Sequence, residues 1–444
     1  MLTYIFKLVN FSLFLFLGLQ LIKFSLYCFY VWQVVEYRQD RLKARLTNLG
    51  DKNEYYRYLN FLNFYSFNKY PQATARIFLT FLFFIVISYQ LFFTIYRSLV
   101  KWVPFEDKFA ITLLLVFLII YYLTPILSSL IVFGLNFIFG PVKKLIIYLA
   151  KQKIKKNTNL IIIGITGSFG KSITKEIIAA VLGLNYKVLK TPANNNTEMG
   201  IAKTILFSLK KTHEIFVVEM GAYKRGEIKK ICDLVSPKIG LISGISEQHL
   251  ALFGSLNNTL KAKYELIESL PAFGLALFNA KNKYCQRLNN KKKQCRSLLY
   301  GRKTKEFEES LAAGRLLGRY FKIPKGKIKR LTPKLKKLLA LERKRGRGGI
   351  LILDDSYSSN PDGFKKALKL IAREKKQRII VTPGIIELGK AGNSIHRQLG
   401  KTMAEIADKI IITSQNFAPA FEKGVNKEQQ RKFLISNSEL AIAD

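Results

Sequence analysis

The chain has 444 residues, 49% of them hydrophobic, and a net charge of +42 from 72 Lys and Arg against 30 Asp and Glu; this length allows two or three domains. The charge points to nucleic acid, an anionic membrane or a polyanionic substrate, but no nucleic-acid module and no basic face interleaved with exposed aromatics is present, which argues against nucleic acid. Cys28, Cys232, Cys285 and Cys295 form neither a CxxC pair nor a zinc spacing, and a reducing compartment is the expectation.

The first third is apolar. Runs at about 2–35, 77–96 and 109–139 are each long enough for a membrane-spanning helix, which needs about 20 apolar residues. The first run is too long and too weakly basic at its start for a cleaved signal peptide. Arg38, Arg41, Lys43, Arg45, Lys52, Arg57, Lys69 and Arg76 crowd the first loop, and Lys143, Lys144, Lys151, Lys153, Lys155 and Lys156 follow the third run. The second loop holds only Arg97, Lys101 and Lys108. Basic loops stay inside, so the expectation is a multi-pass protein of the cytoplasmic membrane with the N-terminus outside and all that follows residue 140 in the cytoplasm. Residues 37–70 suggest an interfacial helix.

Beyond residue 157 the pattern becomes α/β. Continuous apolar runs at 160–163, 215–218, 239–242 and 275–278 read as buried parallel strands alternating with helices. The basic, Gly-rich stretch 325–349 reads as a connector. Runs at 350–353, 378–382 and 409–413 predict a second α/β unit. The expected organisation is therefore a membrane region at 1–150, a central domain at 157–340 and a C-terminal domain at 348–444.

Between the first of these strands and its helix stands Gly164-Ile165-Thr166-Gly167-Ser168-Phe169-Gly170-Lys171-Ser172. Glycines let a backbone wrap a phosphate, a helix N-terminus supplies N–H groups, Lys171 meets the outer phosphates and Ser172 can ligate Mg²⁺. The general GxxxxGK[ST] pattern is missed by one place, because Ile165 stands where the first glycine belongs. Glu219 ends its strand, where open α/β sheets bind ligands, although one such acid alone reads as an exposed strand end. His249, alone, reads as a structural or surface residue.

These residues occur in an order that resembles the Mur ligases, and among them the branch that adds D-alanyl-D-alanine to UDP-N-acetylmuramoyl-tripeptide. Thr166–Ser172 looks like the family's TGSxGKT loop, and Thr191-Pro192-Ala193-Asn194-Asn195-Asn196 is similar to its Asn-rich segment. Glu219-Met220-Gly221-Ala222 with Gly226-Glu227-Ile228 resembles EMGA…GEI, and Ser246-Glu247-Gln248-His249 resembles its His motif. Ala262-Lys263-Tyr264-Glu265 looks like AKxE, Asp354-Asp355-Ser356-Tyr357-Ser358-Ser359-Asn360-Pro361 like DDSYNANP, and Gly384–Gly389 with His396 like the GxMxELG…H segment.

The resemblance implies a P-loop central domain with a parallel sheet, then a Rossmann-like C-terminal domain. It implies an ATP- and Mg²⁺-dependent ligase that activates a carboxylate as an acyl phosphate for attack by an amine. ATP would meet Thr166, Gly167, Ser168, Phe169, Gly170, Lys171, Ser172, Asn279, Asp355, Tyr357 and Asn360. Metal would rest on Ser172, Glu219, His249 and Lys263. Lys263 would be carbamylated, its alternative being a surface lysine of a helix. Lys171, Lys263 and His249 would carry catalysis, with Asn194 and Asn196 toward the substrate. The partners implied are a muropeptide precursor, UDP- or lipid-linked, and an amino acid or dipeptide, with the spans in membrane lipid.

The sequence also departs from the family. Three apolar runs stand in place of its UDP-binding domain, Ala280-Lys281 follows Asn279 where an Asp is usual, and Glu309 stands where Asn is expected. The C-terminal domain looks incomplete. The competing readings are an enzyme working on a lipid-linked precursor and a catalytically decayed membrane scaffold.

Overall fold

The computed structural model describes residues 2–46, 71–99, 101, 108–193, 195–246, 253–291, 294–304, 308–339, 342–355, 361–374, 376–385, 388, 391–414 and 417–435. The chain divides into two compact units, Met1–Lys143 and Lys144–Asp444.

The first unit is helical: Leu2–Val34, Gln39–Leu46, Ala75–Leu99 and the first part of Lys108–Lys155. Three helices are long and apolar enough to cross a membrane. They pack through aromatic and branched side chains: Phe24, Tyr27, Phe117 and Tyr121 form one cluster, and Phe29, Ile77, Phe84, Ile131 and Leu135 another. Phe11, Phe14, Phe78 and Phe137 stay exposed, as a lipid-facing surface demands. Of the interfacial helix expected at 37–70, the described part is Gln39–Leu46, and residues 47–70 lie outside the described set.

The third apolar helix runs to Lys155, well past the expected end near 139, with Pro125 and Pro141 inside it. Its last turns belong to the second unit. There Ala150 is fully buried in the core and Lys153 Nζ donates to the Leu206 carbonyl oxygen at 2.8 Å.

The second unit begins with a six-stranded parallel sheet in the order β2-β3-β1-β4-β5-β6. The strands are β1 (Ile161–Thr166), β2 (Val188–Lys190), β3 (Ile215–Glu219), β4 (Ile239–Ile242), β5 (Leu275–Asn279) and β6 (Arg296–Tyr300). The four central strands are apolar on both faces because helices cover both. Ile162, Phe216, Val218, Ile242 and Phe278 face one core, with helices Glu198–Ser208, Glu227–Val235 and Leu256–Glu268. Ile163, Ile165, Val217, Leu241 and Leu277 face the other, with helices Lys171–Leu182 and Glu309–Tyr320.

Two expectations need correction. The connector at 325–349 contains a helix, Lys325–Leu339, despite Gly326 and Pro333. Its Ile328, Leu331 and Leu335 share one face and pack on the second core, so burial outweighs the one backbone donor that Pro333 removes. The strand foreseen at 350–353 is β8 (Leu351–Asp354), which among the described residues pairs antiparallel with β7 (Glu342–Arg345). Gly348 and Gly349, both with φ near +70°, turn the chain back on itself, and Lys344 bridges to Asp354 at 3.0 Å. The C-terminal sheet proper is parallel, ordered β11-β10-β9, from β9 (Ile379–Thr382), β10 (Lys409–Ile412) and β11 (Phe433–Ile435).

Candidate active site

In the central sheet the strand order reverses beside β1, and the loops leaving β1, β3 and β4 meet at the carboxyl ends of their strands, where doubly wound sheets bind ligands. Gly164, inside β1, is a packing residue: a Cβ there would lie 2.8 Å from side-chain carbons of both Leu266 and Met220. The glycine of the loop itself is Gly167. Its φ is +154°, and a Cβ would run into Ser243 and the Gly244 backbone. The missed first glycine therefore costs the loop nothing.

Several loop residues fasten it to its neighbours. Thr166 Oγ1 donates to the Met220 carbonyl oxygen at 3.0 Å, and Ser168 N–H donates to that of Gly244 at 2.7 Å. The Phe169 ring lies against Gly244, with the Lys366 ammonium 5.3 Å from its centroid. Gly170 (φ +74°) precedes the helix that Lys171 begins. Lys171 Nζ curls over the loop and donates to the carbonyl oxygens of Gly167 (3.0 Å) and Ser168 (3.3 Å). Burial lowers its pKa, and the Glu219 carboxylate opposes that shift.

Glu219 is buried at the end of β3, its backbone N–H held by Thr191 Oγ1 at 3.0 Å. Its Oε1 accepts from Ser172 Oγ at 3.1 Å and from Asn196 Nδ2 at 3.4 Å. Its Oε2 faces Lys175 Nζ at 3.3 Å. The motif reading missed Lys175, although its place one helical turn after Lys171 was available as a signal. Ser172 and Glu219 together offer oxygen donors of the kind a hard divalent cation takes, next to the loop suited to phosphate. Their chemistry fits Mg²⁺. Among the described residues no three His, Cys, Asp or Glu side chains cluster.

Lys263 is in the helix Leu256–Glu268 and is buried. Its nearest described ring contact is Phe253, 5.6 Å away. The nearby carboxylates are engaged elsewhere: Glu265 accepts from the N–H groups of Gly226 (2.6 Å) and Lys229 (3.0 Å), and Glu227 from that of Tyr223 (2.7 Å). Burial, then the positive charge of Lys171, lowers the Lys263 pKa to about 7, against opposing pulls from Glu227 and Glu265. A large share of its amine is therefore neutral near neutral pH.

Asn279, ending β5, donates through Nδ2 to the Ser243 carbonyl oxygen at 2.8 Å and accepts the Lys281 N–H at 2.9 Å. It ties two site loops together. The departures from the family pattern meet each other, since Lys281 Nζ lies 3.5 Å from Glu309 Oε1. Asp355 follows β8, and burial beside Asp354 raises its carboxyl to about 6. Asn194, His249, Tyr357 and Asn360 lie outside the described residues. His396 is structural: its Nε2 accepts from the Ile385 N–H (2.9 Å), its Nδ1 meets the Gly392 carbonyl oxygen (2.8 Å), and its ring stacks on Phe417.

Comparison with known proteins identifies both α/β domains. The Mur ligase middle domain matches residues 165–332, and the Mur ligase glutamate ligase domain matches residues 341–443. The UDP-N-acetylmuramoyl-tripeptide--D-alanyl-D-alanine ligase of Synechocystis is 30% identical over 265 residues, covering 54% of this chain and 58% of the relative. The ligase of that name from Bacillus subtilis is 28% identical over 56% of this chain and 61% of its own length. The chain thus spans about three fifths of these two relatives. A MurF crystal structure from Acinetobacter baumannii shares the fold with a TM-score of 0.59 at 22% identity, over 66% of this chain and 71% of that one. MurF from Thermotoga maritima in complex with ADP does so with a TM-score of 0.52 at 24% identity, over 68% of this chain and 76% of that one. With the middle and glutamate ligase domains both matched, in sequence order, this chain belongs to the Mur ligase family.

Proposed function

We propose that the chain is a membrane-held, ATP-dependent ligase that joins D-alanyl-D-alanine or a similar amine to the carboxylate of a muropeptide precursor. The observation that carries this reading is the hydrogen bond from Ser172 to the buried Glu219 beside the Lys171 loop. The relatives' names supply the substrate class.

In this reading the loop N–H groups and Lys171 bind the ATP phosphates, and Lys171 exchanges its contacts with the loop carbonyls for phosphate oxygens. Ser172 and Glu219 hold Mg²⁺, with His249 and a carbamylated Lys263 completing its ligands. Bound there, the cation neutralises phosphate charge as the acyl phosphate forms. The neutral Lys263 amine attacks CO₂: an N–C bond forms, one C=O π bond opens onto oxygen, one proton leaves, and the neutral amine becomes an anionic carbamate ligand. Tyr357, Asn360 and Asp355 belong to the nucleotide side, and Asn194 and Asn196 to the substrate side.

Three helices long and apolar enough to cross a membrane support a membrane-held site, and the basic residues after the third support ligase domains on the cytoplasmic side. A membrane-held site favours a lipid-linked acceptor. The test is ADP release by purified protein in detergent with D-alanyl-D-alanine and either UDP-linked or lipid-linked muropeptide. Turnover with the lipid-linked form is expected to exceed that with the UDP form. A preference for the UDP form would sink the lipid-linked acceptor, and no release with either would sink the ligase reading.

A further inference from the structure

Glu219 has a partner that the phosphate-loop motif does not account for. Lys175 lies three residues after Ser172 and four after Lys171, so all three project from one face of the helix that the loop opens. The side chains of Lys175 and Glu219 are 1% and 3% exposed, and Nζ sits 3.3 Å from Oε2. A surface ion pair would need no explanation, but burial of a lysine demands a counter-charge.

The two carboxylate oxygens are treated differently. Oε1 faces Ser172 and Asn196, both neutral donors, on the loop side. Oε2 faces the ammonium. Lys175 has a second carboxylate in reach, Glu176 Oε1 at 3.7 Å, and Glu176 pairs in turn with Lys190 at the end of β2.

We propose that Lys175 is a positioning residue that holds the place of a cation beside Glu219, so that a divalent metal is taken up only together with nucleotide. The inference rests on Glu219 being a metal ligand, as proposed above. A bare dication approaching Glu219 meets the fixed positive charge of Lys175 in a poorly screened site. Nucleotide phosphates add negative charge and remove that opposition. As Glu219 turns to the metal, Lys175 transfers to Glu176 and stays paired.

The experiment uses full-length protein in detergent and two readouts: ATP binding with and without Mg²⁺, by equilibrium dialysis, and Mn²⁺ binding without nucleotide, by the loss of the free-ion EPR signal. Wild type should bind ATP more tightly with Mg²⁺, and Glu219→Gln should lose that gain. If it does not, Glu219 is no metal ligand and the parent reading fails. If it does, Lys175→Met should bind Mn²⁺ without nucleotide about tenfold more tightly than wild type, and Lys175→Arg should behave as wild type. Unchanged or weaker Mn²⁺ binding by a folded Lys175→Met overturns the proposal. Glu176→Gln, at a partly exposed position, removes the second partner and tests the idea even if Lys175→Met does not fold. It should raise several-fold the Mg²⁺ concentration needed for ATP binding, and no rise overturns the proposal.

Discussion

The central and C-terminal domains both build parallel sheets from strand–helix units, yet they bury them differently. In the central domain β3, β4 and β5 are buried at every position, and β1 at all but its first. In the C-terminal sheet β9 alternates between exposed and buried residues, and Ile379 and Val381 are 46% exposed. The phosphate loop, Glu219 and Lys263 all belong to the first domain. Sites that hold charged groups away from water need a rigid surround, and the doubly covered sheet supplies one. Asp355, proposed above for the nucleotide side, belongs to the more lightly packed C-terminal domain.

The contrast is sharpened most by removing the loop lysine. Lys171→Ala is expected to lower ATP-dependent turnover by about a thousandfold or more, because stabilisation of phosphoryl charge is the largest catalytic term at such sites. Circular dichroism should stay native, since among the described residues Lys171 bonds only to carbonyl oxygens of its own loop. Retained turnover would remove the chemistry from the central domain altogether.

The next effect is on stability. Phe216 in β3 is fully buried among helices on one sheet face. Phe216→Ala should cost about 3–5 kcal/mol, read as a lower denaturant midpoint for the central domain. A loss under about 1 kcal/mol would mean that this core is no tighter than its neighbour.

These strands were legible because an uninterrupted apolar run of four to six residues has few other uses in a soluble domain. Edge strands were not. β2 is three residues long, and β6 opens with exposed Arg296, so neither presents such a run. The helix Lys325–Leu339 was hidden by its lysines and Pro333, although Ile328, Leu331 and Leu335 keep helical spacing. In the site, ordered motifs named Lys171, Ser172 and Glu219. Lys175 stands one helical turn after Lys171, but its meaning depends on β3 delivering a carboxylate to that helix face.

Lys263 gives a pH-dependent test of the same domain. Its pKa is lowered to about 7, so the ammonium dominates below that value and the neutral amine above it. Only the neutral amine reacts with CO₂. Turnover should therefore rise between pH 6 and 8 with a midpoint of about 7, and removal of bicarbonate should lower it at pH 8. Lys263→Met should lose about a hundredfold and respond to neither pH nor bicarbonate in this way. A bicarbonate-insensitive wild type would leave Lys263 a buried structural lysine.

The smallest expected effect probes the C-terminal sheet. Val381 and Ile379 point to the same side of β9, because alternate residues share a face, and both are exposed. Ile380 and Thr382 point the other way and are buried. Val381→Thr keeps the branched shape and the strand preference while adding a hydroxyl that water can satisfy, so its cost should stay within about 0.5 kcal/mol. Placed at Val217, buried in the central sheet, the same change would leave a hydroxyl without water and cost about 1–3 kcal/mol. Measuring both midpoints in one protein compares the two sheets by identical chemistry. A cost above about 1 kcal/mol at Val381 would mean that a further element covers that face of β9, and the two domains would then be built alike.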